Sequence, residues 1–463
     1  MIKRSLQEII SMAEGIELLD PSINSPDRNV HGVSIDSRTL SAGNLFIPIV
    51  RIDDGHKYVE QAFEKGASAS LWQIDHPSPP QGKPIILVKD TLKALQCLAK
   101  TYRHQLNTKV VGVTGSNGKT TVKDMVNCIL GTTYKVQKTY GNLNGEYGLP
   151  LSLLEVDEDT EVVILEMGMS NKGEIKLLSE IAKPDIGIIT MIGVSHLSSL
   201  GSREAITLAK MEILSGLNPE GAYLYNGDEP LLLNELGGRK FPETLQCVRF
   251  GESSINDYYP IKVKSSQTGL SFYSNKHTTQ FHVPLLGKHN VVNALVSIIV
   301  GDLFNVSVAD IQIGLKNLEL SAMRMERIPT QKGFLIINDA WNASPISMKS
   351  AITTVKNLEG YNKKILVLGD MLELGESEQE FHIEIANYIE LLKIDFVYTY
   401  GKVSRAITDT LIVSSFEGDA KHFTSKKDLA YECLQILDKN DVILIKGSRG
   451  LRLEEVCDIL LEA

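Results

Sequence analysis

Short hydrophobic runs alternate with longer amphipathic stretches along most of the chain. Residues 162–165 are apolar throughout, which is typical of a strand buried on both faces of a sheet. Residues 122–130 instead have a helix-like pattern and follow a β-branched run at 109–111. The pattern predicts further central strands at 109–113 and 185–190. Strands that alternate with helices in this way predict a mostly parallel sheet with helices on both faces.

Three α/β regions are separable by pattern. A small N-terminal region, 1–107, has predicted strands at 33–36, 45–50, 69–73 and 85–88. It also contains a proline-rich surface loop at 76–84, and a polar segment at 102–108 is predicted to be a linker. The central region, 108–320, contains an alternating segment at 259–285 that predicts an antiparallel appendage.

The alternation of strands and helices restarts in the C-terminal region, 321–463. Its predicted strands are 334–337, 364–368, 396–400 and 442–445. Its predicted helices lie near 345–358, 377–392, 426–438 and 451–461. The pattern predicts a second open, Rossmann-like α/β domain. Its first strand has no GxGxxG after it, so nothing marks it as a dinucleotide binder.

The composition of the chain limits the kinds of molecule that it can bind and the compartment that suits it. The 463 residues carry a net charge of −10, which argues against a general nucleic-acid binder, so a polyanionic ligand must be met by local basic groups. The five cysteines, at 97, 128, 247, 433 and 457, have no metal-ligand spacing and suit a reducing cytosol. The N-terminus lacks the apolar core of a signal peptide, and no stretch approaches the roughly 18 apolar residues of a membrane span. We expect a soluble, cytoplasmic protein without membrane insertion.

The most informative motif is Gly-Val-Thr-Gly-Ser-Asn-Gly-Lys-Thr-Thr at 112–121, between a predicted strand and a predicted helix. A glycine-rich turn there presents backbone N–H groups to a phosphate chain, and the helix N-terminus adds about half a positive charge. Lys119 would reach the outer phosphates, and the hydroxyl of Thr120 or Thr121 would ligate Mg²⁺. The usual leading glycine is replaced by Val113. The motif predicts a nucleoside triphosphate site, with a fortuitous glycine turn as the alternative.

Other polar groups follow predicted strands, where ligands of open α/β sheets bind. Glu166 directly follows the strand at 162–165, and His196 comes shortly after the next one. Glu166 is a candidate Mg²⁺ ligand or a solvated acid at a strand end. His196 on its own is more typical of a loop histidine whose hydrogen bonds are satisfied.

Four further residues have a functional and a plainer interpretation. Lys210 lies in an apolar-striped helix, where a surface lysine is the plainer interpretation. Asn290 and Asn293 are three residues apart, so they share a helix face and could contact adenine or cap the helix. Arg324 lies at the boundary between the two larger regions, where it could be only a surface charge.

Taken together, these strings resemble the Mur ligases, the ATP-dependent amide-forming enzymes of bacterial peptidoglycan precursor synthesis. The resemblance covers all three regions and explains the departure in the phosphate loop. The strings that carry it are 114–121, Glu166-Met-Gly-Met, Ser195-His-Leu, Gly201-Ser, Asp339-Ala-Trp-Asn-Ala, Gly369-Asp-Met-Leu-Glu-Leu-Gly and Lys446-Gly-Ser-Arg. They are most similar to those of members that join D-Ala-D-Ala to a UDP-N-acetylmuramoyl-tripeptide (UDP-MurNAc-tripeptide).

The resemblance implies a role for each candidate residue. The phosphates of ATP would be held by Thr114, Gly115, Ser116, Asn117, Gly118, Lys119, Thr120 and Thr121. Thr120 and Glu166 would bind one Mg²⁺, while His196 and Lys210 would serve a second, with Lys210 carbamylated. Asn290 and Asn293 would contact adenine, and Arg324 and Asp339 would close over the γ-phosphate and ribose. Catalysis would rest on Lys119, Glu166, His196, Lys210 and Arg324.

The resemblance also implies the two remaining substrates. The N-terminal region would bind the UDP part through Ser37, Arg38, Asp54, Gly55 and His56, and the C-terminal region would bind D-Ala-D-Ala near Asn342 and Ser344. We expect a monomer. Two departures from the family are Trp341, where tyrosine is usual, and Val50-Arg-Ile-Asp, where a Lys-Gly-type turn is common.

Two rivals stay open. One is another Mur-type or folylpolyglutamate-type ligase, with a different amine as acceptor. The other is a P-loop ATPase switch that forms no amide bond and would tolerate loss of Lys210.

Overall fold

A computed structural model describes residues 1–19, 29–319 and 321–462, so the predicted boundary at residue 320 lies outside the described residues. The strands of this part of the chain form five sheets, and no sheet combines strands from two of the three predicted regions.

The N-terminal region contains a five-stranded sheet and a separate antiparallel pair. The order of the sheet is β2-β7-β6-β5-β4, and β1 pairs with β3. The strands are β1 (Lys3–Ser5), β2 (Glu17–Leu19), β3 (Asn29–His31), β4 (Val33–Ser34), β5 (Leu45–Phe46), β6 (Ala69–Gln73) and β7 (Ile85–Val88). The helices are α1 (Leu6–Met12), α2 (Val59–Glu64) and α3 (Thr91–Gln105).

The central region is built on a six-stranded, fully parallel sheet of order β13-β12-β11-β8-β10-β9. Its strands are β8 (Lys109–Thr114), β9 (Val136–Lys138), β10 (Val162–Glu166), β11 (Ile186–Ile189), β12 (Ala222–Asn226) and β13 (Gln246–Phe250). Its first helices are α4 (Lys119–Leu130), α5 (Gly148–Leu154), α6 (Glu174–Ala182), α7 (Leu197–Leu200), α8 (Arg203–Met211) and α9 (Pro230–Leu236). Because β8 lies between β10 and β11, the ends of all three strands meet at one edge.

The predicted appendage is a three-stranded antiparallel sheet, as expected. It consists of β14 (Pro260–Ser266), β15 (Gly269–Ser274) and β16 (Gln280–Val283). Two helices, α10 (His289–Leu303) and α11 (Val308–Lys316), follow it and pack against α4.

The C-terminal region has a six-stranded sheet of order β17-β18-β22-β19-β20-β21. All its strand pairs are parallel except β17–β18, an antiparallel edge pair. The strands are β17 (Glu326–Pro329), β18 (Leu335–Asp339), β19 (Lys364–Gly369), β20 (Phe396–Tyr400), β21 (Asp419–Phe423) and β22 (Val442–Lys446). The helices are α12 (Pro345–Lys356), α13 (Glu378–Glu390), α14 (Arg405–Val413), α15 (Lys426–Ile436) and α16 (Glu454–Glu462).

One hydrophobic core runs from the N-terminal region into the central region, and helix α3 lies within it. The prediction of a linker at 102–108 is therefore wrong for its first half. Tyr102 is fully buried in α3, and its hydroxyl donates to the carbonyl of Val156 at 2.8 Å. The last turn of α3, Tyr-Arg-His-Gln, consists of polar residue types, although its Tyr102 lies on the buried face of the helix.

None of the helices in the described ranges has the length and apolar content needed to cross a bilayer.

Candidate functional site

The glycine-rich turn lies between β8 and α4, as the motif predicts. Gly118 caps α4 with φ +85°, and Gly115 has φ +148°. A Cβ at Gly115 would come within 1.9 Å of the Thr190 hydroxyl, so only glycine fits there. The first backbone N–H groups of α4 have no partner within the helix, which makes this end suited to an anion.

Neighbouring strand ends hold the turn in place. The Thr190 hydroxyl donates to the carbonyl of Asn117 at 2.6 Å, and the Ser116 N–H donates to the carbonyl of Met191 at 2.9 Å. The Gly193 N–H donates to the Ser116 hydroxyl at 2.8 Å. The turn is thus preorganised by residues that follow β11.

Lys119 folds back over the turn, where its ammonium donates to the carbonyl of Gly115 at 2.8 Å. Burial lowers the pKa of Lys119, the carboxylate of Glu166 opposes this, and the charge of Arg324 adds to it. Three charged candidates from different parts of the sequence therefore influence one another. The hydroxyl of Thr114, at the start of the turn, is buried and has no hydrogen-bond partner among the described residues.

Glu166 is buried against the turn, so its interpretation as a solvated acid is wrong. It is 3% exposed, and its Oε2 accepts a hydrogen bond from the Thr120 hydroxyl at 2.7 Å. Its Oε1 accepts from the Asn144 amide at 2.9 Å. The pattern did not single out Asn144, because it lies in a loop without a motif. The oxygens of Thr120 and Glu166 are hard ligands of the kind Mg²⁺ prefers, so this pair fits the cation.

Lys210 is also buried, at 2% exposure, so its interpretation as a surface lysine is wrong. Burial lowers the pKa of its amine well below the ordinary value, and the charge of Lys119 lowers it further. The lowered pKa favours the neutral amine of Lys210 over the ammonium.

His196 contacts the C-terminal region rather than Glu166. Its Nδ1 lies 2.6 Å from Oε2 of Glu373, and the contact lowers the pKa of that carboxyl, against the effect of burial. The backbone strengthens the contact, because the Ser198 N–H donates to the carbonyl of Glu373 at 3.2 Å. No hydrogen bond joins His196 to Glu166 or Lys210 in the described part of the chain.

Asn290 and Asn293 lie on one face of α10, as their spacing predicts. The Asn293 amide donates to the side-chain carbonyl of Asn290 at 3.0 Å, and Asn290 donates to the carbonyl of Leu286 at 2.8 Å. Asn293 faces the glycine turn, since a Cβ at Gly118 would lie 2.8 Å from its Oδ1. The two asparagines therefore lie next to the glycine-rich turn, residues 114–121, which is also called the phosphate loop.

Arg324 lies in the segment that enters the C-terminal region. Burial lowers the pKa of its guanidinium, and three carboxylates oppose this shift, those of Glu166, Asp339 and Asp124. Its guanidinium carbon lies 5.8 Å from the ring centre of Trp341. The interpretation of Arg324 as a plain surface charge does not fit these surroundings.

Asp339 and nearby residues of the C-terminal region lie close to the glycine-rich turn of the central region. Asp339 forms an ion pair with Lys446 at 2.6 Å, and Lys446 also donates to the carbonyl of Asn342 at 2.9 Å. Ser344 caps α12 and exchanges hydrogen bonds with the Asn117 side chain at 3.2 and 3.3 Å. The C-terminal region thus contacts the phosphate loop directly.

Two buried charges that the motif analysis did not single out lie on α4, Lys123 and Asp124. Lys123 donates to the carbonyl of Thr139 at 3.1 Å, and burial lowers its pKa. The sequence could have indicated Lys123, because it follows Lys119 by four residues and residues at that spacing share a helix face.

The N-terminal candidates lie in two groups. The Ser37 hydroxyl donates to Gln61 at 2.6 Å, while Arg38 is exposed and paired with Asp36 at 2.7 Å. Asp54 and the buried His56 begin a short 3₁₀-helix at Gly55–Tyr58. Gly55 leaves no room for a side chain, because a Cβ would lie 2.7 Å from the Ile49 nitrogen.

Asp54 also joins two histidine rings. Its Oδ1 lies 2.8 Å from Nδ1 of His56, and its Oδ2 lies 2.9 Å from Nε2 of His76. Burial raises the pKa of Asp54, but hydrogen bonds from the His56 backbone and ring and from His76 prevail and hold it at about 2. Burial also lowers the pKa of His56.

These three residues form a possible metal-ligand set within the described ranges, but their geometry does not suit one ion. The two imidazoles are stacked at 4.1 Å with an interplanar angle of 11°, so no point lies in both ring planes close to both nitrogens. Nε2 of His56 already accepts the Gln73 N–H at 3.3 Å, which leaves the proton on Nδ1. We assign the group as a hydrogen-bonded cluster.

Three family descriptions match successive parts of the chain. The Mur ligase family catalytic domain matches residues 29–103, the Mur ligase middle domain matches 113–301, and the Mur ligase glutamate ligase domain matches 323–449. The UDP-N-acetylmuramoyl-tripeptide–D-alanyl-D-alanine ligase of Bacillus subtilis (strain 168) is 48% identical over 465 residues, covering 100% of this chain and 99% of the relative.

Solved structures agree with this similarity. A crystal structure of MurF from Acinetobacter baumannii has a TM-score of 0.89 at 26% identity and covers 100% of both chains. MurF ligase from Thermotoga maritima, solved in complex with ADP, has a TM-score of 0.81 at 28% identity and covers 94% of this chain and 97% of its own.

Proposed function

The chain belongs to the Mur ligase family, and we infer that it is an ATP-dependent ligase that joins D-Ala-D-Ala to UDP-MurNAc-tripeptide in peptidoglycan synthesis. The observation that carries this inference is the B. subtilis relative, which is 48% identical over the whole chain. The products are UDP-MurNAc-pentapeptide, ADP and phosphate.

The chemistry explains why ATP is needed. A carboxylate is a poor acceptor for an amine, so one of its oxygens first attacks the γ-phosphorus of ATP and ADP leaves. The dipeptide amine then attacks the acyl carbon, phosphate departs with that oxygen, and the nitrogen loses a proton. In the first step two anions approach each other, and at ~4 Å with an effective dielectric of ~20 one such pair repels by about 4 kcal/mol. The site must cancel this repulsion.

We propose that residues 114–121 hold the phosphates of ATP. Support comes from the N–H groups at the start of α4, which have no side-chain cap, and from the ammonium of Lys119, which lies over the turn at Gly115. The buried Thr114 hydroxyl supplies a further donor. Arg324, from the entry to the C-terminal region, neutralises the phosphoryl group during transfer, with Asp339 near the ribose. Asn290 and Asn293, next to Gly118, contact adenine.

Thr120 and Glu166 are the proposed ligands of one Mg²⁺, and His196 and Lys210 serve a second. The support for the first is the 2.7 Å contact between two buried oxygen ligands. When bound, the cations supply positive charge that offsets the anionic phosphates. Glu166 is kept in place for this by Asn144.

Lys210 is the proposed site of a carbamate. An ammonium there would repel a cation, whereas a neutral amine adds to CO₂ and loses a proton, giving an anionic oxygen ligand. The lowered pKa of this buried lysine supports the neutral amine.

NMR with ¹³C-bicarbonate tests the carbamate. We expect a carbamate carbon signal in the wild type that is lost in Lys210→Arg and retained in Lys176→Arg, a control at an exposed lysine. A spectrum identical in all three proteins would contradict the proposal.

The remaining substrates are assigned to the outer regions. We propose that Ser37, Arg38, Asp54, Gly55 and His56 contact the UDP part and that Asn342 and Ser344 lie near D-Ala-D-Ala. The proposed domains are 1–107, 108–320 and 321–463, supported by the separate sheets of the three regions. We also propose that the protein is cytoplasmic, which suits its five free cysteines, and that it acts as a monomer.

Phosphate release tests the function, with each substrate omitted in turn. We expect release only when ATP, UDP-MurNAc-tripeptide and D-Ala-D-Ala are all present. Release with glutamate or a diamino acid in place of the dipeptide would indicate another ligase of the family. Release from ATP alone, unaffected by Lys210→Ala, would indicate an ATPase switch.

A further inference from the structure

A buried carboxylate connects α4, the helix that follows the phosphate loop, to the hinge, which is the segment 321–325 that leads into β17. Asp124 lies on α4 five residues after Lys119, about one and a half turns along the helix, and is fully buried. Its Oδ2 accepts hydrogen bonds from both the backbone N–H and the hydroxyl of Ser321, each at 2.9 Å. Its Oδ1 is paired with the ammonium of Lys138 at 2.7 Å.

The charges around Asp124 make this position hard to replace. A buried carboxylate is stable only when it is paired and hydrogen-bonded. Here the ammonium of Lys123 lies 3.6 Å away in addition to that of Lys138. Removing the carboxylate would leave Lys138 and Lys123 with less negative charge nearby and would free the backbone N–H and hydroxyl of Ser321.

The other end of the hinge is held in a similar way. The Met325 N–H donates to Oδ1 of Asp339 at 3.1 Å, and Asp339 is itself paired with Lys446. Arg324 therefore lies between two fixed points, one on the central region and one on the C-terminal region. The charges of both carboxylates act on its guanidinium.

We propose that Asp124 is a positioning residue for the ligase reaction. By holding Ser321 against α4, it keeps Arg324 directed toward the phosphate loop that begins the same helix. Any movement of α4 when nucleotide binds is passed to the hinge through these two hydrogen bonds. The inference rests on the proposed role of Arg324 in phosphoryl transfer.

Steady-state kinetics of Asp124→Asn and Ser321→Ala test the proposal. We expect Asp124→Asn to lower kcat about 10- to 100-fold with less than a threefold change in the KM for ATP, because Arg324 acts mainly in the transition state. Ser321→Ala removes one of the two bonds, so we expect a threefold to tenfold loss. The double variant should be no worse than Asp124→Asn, since both changes break the same connection.

Asp441→Asn is the matched control. Asp441 is as fully buried as Asp124 and accepts the backbone N–H groups of Lys363 and Asp438, but it lies away from the hinge. We expect its kcat per folded molecule to stay within threefold of the wild type. An equal loss of kcat in both Asp→Asn variants would overturn the proposal, because a merely structural role predicts that result.

Hydrogen exchange of the hinge gives a readout that needs no activity. We expect the peptide containing Ser321 to exchange at least tenfold faster in Asp124→Ala, while peptides from β19 are unchanged. If this variant does not fold, Asp124→Asn with Ser321→Ala replaces it. Unchanged exchange at the hinge would contradict the inference even if the wild type proved to be a ligase. If exchange at the hinge is faster in the variant but the wild type shows no ligase activity, the result counts against the proposed function and not against the role of Asp124 at the hinge.

Discussion

At Gly118, backbone conformation and the proposed binding of ATP phosphates can be tested together. Gly118 and Gly173 both cap a helix in the left-handed region, with φ of +85° and +92°. Any other residue would be strained at either position, at a cost of about 1 kcal/mol. They differ in surroundings, because a Cβ at Gly118 would lie 2.8 Å from Oδ1 of Asn293, whereas at Gly173 nothing lies within 4 Å.

This pair separates strain from a binding role. We expect Gly118→Ala to lose at least as much stability as Gly173→Ala, because the Asn293 side chain must also move. Only Gly118→Ala should weaken ADP binding, by at least tenfold, because it displaces Asn293 and the phosphate loop. Thermal unfolding and titration calorimetry measure the two effects. Equal ADP affinity in both variants would mean that this turn does not hold the phosphates.

Asp54 gives a prediction for pH dependence. Its pKa in the folded protein is about 2, below the ordinary value of about 3.9, so the carboxylate stabilises the fold above about pH 4. That contribution is lost as the pH falls toward 2. We expect Asp54→Asn to reduce the free energy of unfolding by about 1 kcal/mol at pH 7, after allowance for partial exposure.

Denaturant unfolding at two pH values checks the prediction for Asp54. The deficit of Asp54→Asn should shrink between pH 7 and pH 3, whereas the exposed neighbour variant Asp75→Asn should match the wild type at both. A deficit of the same size at both pH values would mean that the carboxylate charge is not the cause.

Among the structural elements, the loops after β19 and β11 bring the His196 ring of the central region against the Glu373 carboxylate of the C-terminal region. His196 and Glu373 both adopt positive φ, +64° and +65°, where residues with side chains are uncommon. Their strained backbones meet at the 2.6 Å contact between Nδ1 and Oε2. Strain at two facing positions points to a functional role for this contact.

Glu373→Gln tests this contact. We expect kcat to fall threefold to tenfold because the anion that orients the His196 ring is lost, while ADP affinity stays unchanged. Glu376→Gln, an exposed position in the same loop, is the control. The idea would be refuted by a Glu373→Gln variant with wild-type kcat, or by an equal loss in the control.

At this scale the sequence predicted the long, strongly apolar elements best. The strands at 69–73, 85–88 and 396–400 have the predicted bounds. The edge strand Glu326–Pro329 and the outer strand Asp419–Phe423 were not predicted, because short, half-exposed edge strands carry too few apolar positions. The C-terminal end of α3 was not predicted because the residues of its last turn are mostly polar.

The candidate site was predictable only where a residue belongs to a motif. The glycine turn and Glu166 come together as the strand-end argument predicts. Arg324, which the sequence placed only at a region boundary, lies close enough for its charge to act on Lys119. Asn144 and Asp124 could not be found in the same way, because tertiary contacts alone bring them to Glu166 and to the hinge. The contact of His196 with Glu373 likewise depends on how two regions meet.

Across the whole molecule, the central region packs differently against its two neighbours. The N-terminal and central regions share one hydrophobic core. The two clusters around the C-terminal sheet take little from the central region among the described residues, namely Leu286 and the partly buried Val194. The C-terminal region meets the phosphate loop through Asn117–Ser344 and the following helix α4 through Asp124–Ser321, and both contacts are polar. Polar interfaces of this kind suit reversible closure, which would exclude water from a hydrolysable acyl phosphate.

The acyl phosphate is the central claim, and oxygen transfer tests it most directly. UDP-MurNAc-tripeptide labelled with ¹⁸O in its terminal carboxylate is incubated with ATP and D-Ala-D-Ala, and the released phosphate is analysed by mass spectrometry. Because a carboxylate oxygen attacks the γ-phosphorus and leaves with it, we predict one ¹⁸O atom in each phosphate formed with the pentapeptide. Unlabelled phosphate alongside labelled pentapeptide would contradict the mechanism.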